Sequence, residues 1–133
     1  TFRTGFDVTE YLSSALIDMK LHLAGDADID PDAFERDELK KLGMPEELPM
    51  RHRTPHFLHI FSGSHYAAGY YSYLWSRVLD ADAFSVFADA GYWDAKVAER
   101  FRREVLGVGD SRDPAEAYRR FAGRGVIVPG GSL

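Results

Sequence analysis

The sequence predicts an all-α chain, and three observations carry that reading. Apolar residues recur at three- and four-residue intervals in successive stretches, and Asx or Asx-Pro start signals stand before several of them. No convincing run of four or more residues alternates apolar with polar, and there is no internal repeat.

Taken in order, Asp7-Val8-Thr9-Glu10 reads as a capping box with Asp7 as N-cap. The helix it opens carries Leu12, Ala15, Leu16, Met19 and Leu23 as its inward face, with Gly25 to stop it. His22 on this helix reads as a surface or partly buried histidine. The acidic stretch from Asp26 to Asp32 lacks the glycine and glutamate of a calcium loop, and Asp30-Pro31 instead reads as an N-cap followed by proline at N1. The helix from Pro31 to Leu42 turns Phe34, Leu39 and Leu42 inward and ends at Gly43.

Met44 to Met50 is a proline-punctuated connector. Pro55 pushes Thr54 toward extended backbone, so a helix across Thr54 is not expected. A helix is expected from about Tyr66 to Ala88, with Leu74, Val78, Phe84 and Phe87 as core. Asp94 caps a helix to about Leu106, followed by Gly107 and Gly109, and Asp113-Pro114 opens a last one to about Ala122. The tail from Val126 to Leu133 has no helical period.

Composition narrows the function. At 133 residues and 45% hydrophobic, the chain suits one domain or a piece of a larger protein with a modest core. A net charge of -5 without a basic stripe argues against a nucleic-acid surface. No apolar run approaches the roughly 20 residues that span a bilayer, so no membrane partner is expected. The absence of cysteine removes disulfides and thiolate metal sites, and no secretory signal is visible. The aromatic, Met-less start at Thr1-Phe2 is expected of a segment cut from something longer.

The chemistry-bearing stretch is Gly63 to Trp75. It places Tyr66, Tyr70, Tyr71 and Tyr73, four of the seven tyrosines, within eight residues. On a helix Tyr66, Tyr70 and Tyr73 share one face, and four phenols that each want a hydrogen-bond partner suit a cleft better than a core. His52, His56 and His59 stand four and three apart, a spacing compatible with a nitrogen-only metal site on a helix, but Pro55 interrupts that helix. A single histidine donating beside the tyrosines is the preferred reading. Arg51 and Arg53 are placed to take a carboxylate, or to sit solvated.

His56-Phe57-Leu58-His59-Ile60-Phe61-Ser62-Gly63, Tyr66-Ala67-Ala68-Gly69-Tyr70-Tyr71-Ser72-Tyr73-Leu74-Trp75 and Leu79-Asp80-Ala81-Asp82-Ala83-Phe84 form a pattern. It closely resembles the C-terminal region of the thimet oligopeptidase, oligopeptidase A and dipeptidyl carboxypeptidase family of zinc metallopeptidases. Gly5-Phe6 to Met19 and Arg100-Phe101 to Pro114 resemble flanking parts of the same family. The resemblance implies that residues 1–125 are a helical C-terminal part of a larger, mostly helical enzyme, and that 126–133 are a non-matching tail. It implies cleavage of short peptides, a cytoplasmic location, and zinc held by a His-Glu-x-x-His helix that this chain lacks. The missing metal-binding part then becomes a partner, and the fragment alone is expected to be inactive and to self-associate.

By the same resemblance, Tyr70 and Tyr73 correspond to catalytic tyrosines that stabilise the oxyanion. Tyr66 and His59 correspond to substrate-contacting residues, and Ser62-Gly63-Ser64 to a loop that closes over the peptide. Glycines are expected where Ser64-His65 stand, which leaves open whether His59 or His65 reaches the cleft. The alternative from another class is a self-standing helical module that grips a peptide or partner helix without catalysis.

Overall fold

The computed structural model describes residues 2–128 and 131–132 and is all-α apart from one short ribbon. Thr1, Pro129, Gly130 and Leu133 lie outside the described residues, and with them part of the tail set apart at 126–133. Two compact units divide between Tyr73 and Leu74.

The first unit opens with α1 (Thr4–Leu23), which starts three residues before the expected cap. Arg3 is its N-cap residue and makes no side-chain cap, so Asp7 lies inside the helix, paired with Arg3 at 3.3 Å. The inward face also differs from the expected one. Ser13, Ser14, Ala15, Ile17 and Asp18 are buried, whereas Leu12, Leu16, Met19 and Leu23 are exposed. An apolar period locates a stripe, but what covers the stripe is decided by the neighbouring elements.

Helix α2 (Pro31–Lys41) forms as the sequence indicates. The Asp30 carboxylate accepts the Ala33 N–H at 2.7 Å, and proline at the first position gives up only a donor the helix end cannot use. Leu42, expected inside, is exposed. The buried residues of α2 are Glu35 and Glu38, and both are paired: Glu38 with Lys20 of α1 and with Lys41. Glu35 accepts the Thr54 N–H at 2.8 Å and its hydroxyl at 2.9 Å, and it pairs with Arg53.

That clamp launches two 3₁₀ turns, Thr54–His56 and Leu58–Phe61. Thr54 therefore does begin a helical turn, because a 3₁₀ turn can start where Pro55 takes the second position. Ile17, Met50, Phe57 and Ile60 form the core of this unit, with Leu21, Leu39 and Tyr70 against it.

Helix α3 (Ser72–Ala90) begins at the end of the first unit, and its body belongs to the second. It starts six residues later than expected. Leu74 and Phe84, expected in the core, are exposed, while Val78 and Phe87 are half-buried.

In the second unit, α4 (Ala95–Phe101) is capped by Asp94, whose carboxylate accepts the Lys96 and Val97 N–H groups, both at 2.9 Å. It widens into a π turn, Arg102–Leu106, closed by the Gly107 N–H on Arg102 O at 2.7 Å. A β-carbon at Gly107 would stand 3.0 Å from that carbonyl, which accounts for glycine at the close. Asp113 caps α5 (Pro114–Ala122), and Gly123 ends it in the left-handed region.

Phe87, Phe101 and Phe121 pack with ring centroids 5.1–5.9 Å apart. The buried Asp82 accepts from the Tyr118 hydroxyl at 2.5 Å, Arg124 Nη1 at 2.7 Å and the Ile127 N–H at 3.3 Å. Strands β1 (Ile127–Val128) and β2 (Gly131–Ser132) pair antiparallel in the stretch that shows no helical period.

Candidate active site

The first unit gathers three tyrosine rings around His59. Its imidazole lies 4.8 Å from Tyr66, 5.7 Å from Tyr70 and 5.7 Å from Tyr73, centroid to centroid, and Tyr70 meets Tyr73 edge-on at 5.4 Å. His59 Nε2 stands 3.1 Å from the Tyr73 hydroxyl, within hydrogen-bond distance. Tyr66 and Tyr73 are exposed; Tyr70 is half-buried, edge-on to Phe57 and stacked on Tyr11.

The grouping does not come from a helical face. Residues 64–68 and 70–71 are turns, tied by Tyr66 N–H to Gly63 O and by Gly69 N–H to Tyr66 O, with Ala68 at φ +55°. Only Tyr73 lies on α3. The expected i, i+4, i+7 register is replaced by a folded-back loop that brings the same three phenols to one histidine. Glycine at 63 and at 69 breaks helix propensity, and a left-handed residue at 68 redirects the chain. Tyr71 is exposed.

His65 also joins the cluster, at its edge. Its ring lies tilted against Tyr66, centroids 4.4 Å apart, and folds over Gly63, where a β-carbon would stand 2.7 Å from it. His59 is the histidine common to all three phenols. Ser62 Oγ–H donates to His59 O at 2.8 Å and fastens the turn that follows it.

Beneath the cluster is a residue the sequence reading did not single out. Asp18 of α1 is wholly buried, and its carboxylate accepts the Ala68 N–H at 3.1 Å and the Tyr70 N–H at 2.9 Å. The Tyr11 hydroxyl donates to Tyr70 O from the same helix. An acid within an apolar run, next to Ile17 and three residues before Leu21, is the signal that could have found it: a buried charge needs donors.

The profile of peptidase family M3 matches residues 1–126. This chain belongs to peptidase family M3. It is 38% identical to the dipeptidyl carboxypeptidase of Escherichia coli (strain K12) over 127 residues, 92% of the chain and 18% of the relative. It is 40% identical to the probable cytosolic oligopeptidase A of Arabidopsis thaliana over 131 residues, covering 93% and 18%. Against oligopeptidase A of E. coli (strain K12) identity is 38% over 129 residues, covering 92% and 18%. The chain thus spans about a fifth of the length of the curated relatives it matches.

M3 peptidases are metallopeptidases. Among the described residues, no three His, Cys, Asp or Glu side chains gather to hold an ion, and the residues present do not fit the metal. The spacing of His52, His56 and His59 does not become a site. His56 closes one 3₁₀ turn, His59 lies in the next, and His52 stacks on Phe57 at 5.1 Å. Arg53 is committed to Asp32 at 2.6 Å and to Glu35, and both Arg51 and Arg53 are exposed. No helix among the described residues is long and apolar enough to cross a membrane.

Proposed function

We propose that this M3 chain is the segment of a zinc metallopeptidase that grips a short peptide and donates hydrogen bonds to its scissile carbonyl. Tyr73 and Tyr70 are the catalytic donors. His59, Tyr66, Gly63 and His65 contact the peptide. Zinc and its ligands belong to the remainder of the enzyme.

The observation that carries the reading is the 3.1 Å approach of His59 Nε2 to the Tyr73 hydroxyl. With Nε2 protonated, the imidazole donates to the phenol oxygen and turns the phenol proton outward. As a nucleophile adds to a peptide carbonyl, charge grows on the oxygen, and a donor already held in place stabilises it without reorganisation. Tyr73 is suited to this because its ring reaches solvent from the first turns of a helix. Tyr70, wedged against Phe57 and Tyr11, supplies a more rigid second phenol.

The Ser62-Gly63-Ser64 turn borders the cluster and closes over bound peptide. A cytoplasmic location completes the proposal. It is supported by the cytosolic designation of one plant relative, although an organellar oligopeptidase A is 40% identical to the chain as well.

The test uses the full-length protein that carries this segment. It should hydrolyse a fluorogenic short peptide, and Tyr70→Phe should lower kcat by about 10-fold or more while leaving bound zinc unchanged. A full-length protein that binds peptides without cleaving them would replace this reading with that of a binding module.

A further inference from the structure

We infer that Asp18 is the positioning residue for the phenol cluster, an assignment that rests on the function proposed above and deepens it. Asp18 has no solvent exposure and lies one residue from Ile17 of the core. A buried carboxylate is costly unless its oxygens are satisfied. Here each oxygen has its own donor from the loop: Oδ1 takes the Ala68 N–H and Oδ2 the Tyr70 N–H.

A third group completes the site. His22 Nδ1 lies 2.9 Å from Asp18 Oδ1 and 2.9 Å from Asp18 O. Both of those atoms only accept, so Nδ1 carries the proton.

The loop needs this anchor because its backbone is unfavourable by itself. Ala68 sits at φ +55°, a region that L-residues other than glycine enter at a cost. The two amides held by Asp18 bracket that turn, at Ala68 itself and at Tyr70. Tyr66 lies before the turn and Tyr70 and Tyr73 after it, so the turn's geometry sets how the three phenols meet His59. A carboxylate is the group that fits: both oxygens accept, whereas an amide offers one acceptor and one donor. With one backbone N–H on each oxygen, asparagine would set its NH2 against one of them.

Two readouts test this. In the chain itself, the Ala68 and Tyr70 amides should exchange with solvent as slowly as the central amides of α1. Asp18→Asn should speed exchange at those two positions by about 10-fold or more, leaving α1 unchanged. In the full-length protein, Asp18→Asn should lower kcat about 10-fold with less than about a threefold change in KM. That loss should largely vanish in a Tyr73→Phe background, because both changes act through one cluster.

Wild-type amides at 68 and 70 that exchange like open turns would overturn the inference, even if Asp18→Asn fails to fold. So would a kcat loss that multiplies fully with that of Tyr73→Phe, which is what general destabilisation gives. Wild-type turnover of Tyr73→Phe, with slow exchange at 68 and 70, would instead overturn the oxyanion reading and with it the catalytic effect assigned to Asp18. The anchor itself would then be supported by exchange alone.

Discussion

His59 Nε2 and the Tyr73 hydroxyl stand 3.1 Å apart, fourteen residues distant in sequence. The pair joins a 3₁₀ turn to the first turn of α3 and ties a titratable ring to a phenol. If His59 orients Tyr73, then His59→Ala in the full-length protein should lower kcat about 10-fold, and much less once Tyr73 is already phenylalanine. Steady-state kinetics on the two single variants and the double variant check this. Fully multiplicative losses would separate the two residues.

Asp82 and Tyr118 give the second unit a pH signature. The Arg124 guanidinium beside Asp82 holds its carboxyl below the ordinary value of 3.8, with smaller help from Tyr118 and the Ile127 N–H and against the opposing effect of burial. A lowered carboxylate contributes stability above its unfolded value and loses it as pH falls below about 3.8. Burial, then the bond to Asp82, pushes the Tyr118 phenol up from 10.0 to about 12. A raised phenol contributes fully below pH 10.0 and loses its contribution toward about 12. Thermal melts should therefore show Tm falling between pH 10 and 12, and Tyr118→Phe should flatten that limb. An unchanged slope in the variant would assign the alkaline loss elsewhere.

Glu35 should be costly to remove from the first unit. Its side chain is 5% exposed and serves the Thr54 amide, the Thr54 hydroxyl and Arg53. Glu35→Ala strands the buried Thr54 amide and hydroxyl, at about 2 kcal/mol, while Arg53 keeps Asp32. Urea unfolding reads the loss, and a change below about 1 kcal/mol would mean that water replaces the carboxylate.

Leu12, Leu16, Met19 and Leu23 form an exposed apolar stripe on α1, each more than a third in solvent. Such a surface associates when nothing covers it. The purified chain should therefore self-associate in light scattering at high concentration, and Leu16→Glu with Met19→Lys should shift it toward monomer. A monomeric wild-type chain would contradict this.

The sequence made the helices legible where a local chemical signal fixes them. Asp30-Pro31, Asp94 and Asp113-Pro114 start helices because a carboxylate meets free N–H groups and proline forgoes one. It misled at Asp7, where helix propensity carries α1 back to Thr4 without a side-chain cap. It misled again on α1, whose leucine stripe is periodic but faces outward. The membership of the tyrosine cluster was legible, since Tyr66, Tyr70, Tyr73 and His59 do converge. Its geometry was not. The left-handed turn at Ala68 and the Asp18 anchor fifty residues away are tertiary features with no local pattern.

The most direct test of the central claim is the turnover of Tyr73→Phe in the full-length protein, measured beside its zinc content. The kcat should fall by about 10²-fold or more, with zinc at the wild-type level and KM little changed. Wild-type turnover with wild-type zinc would contradict it.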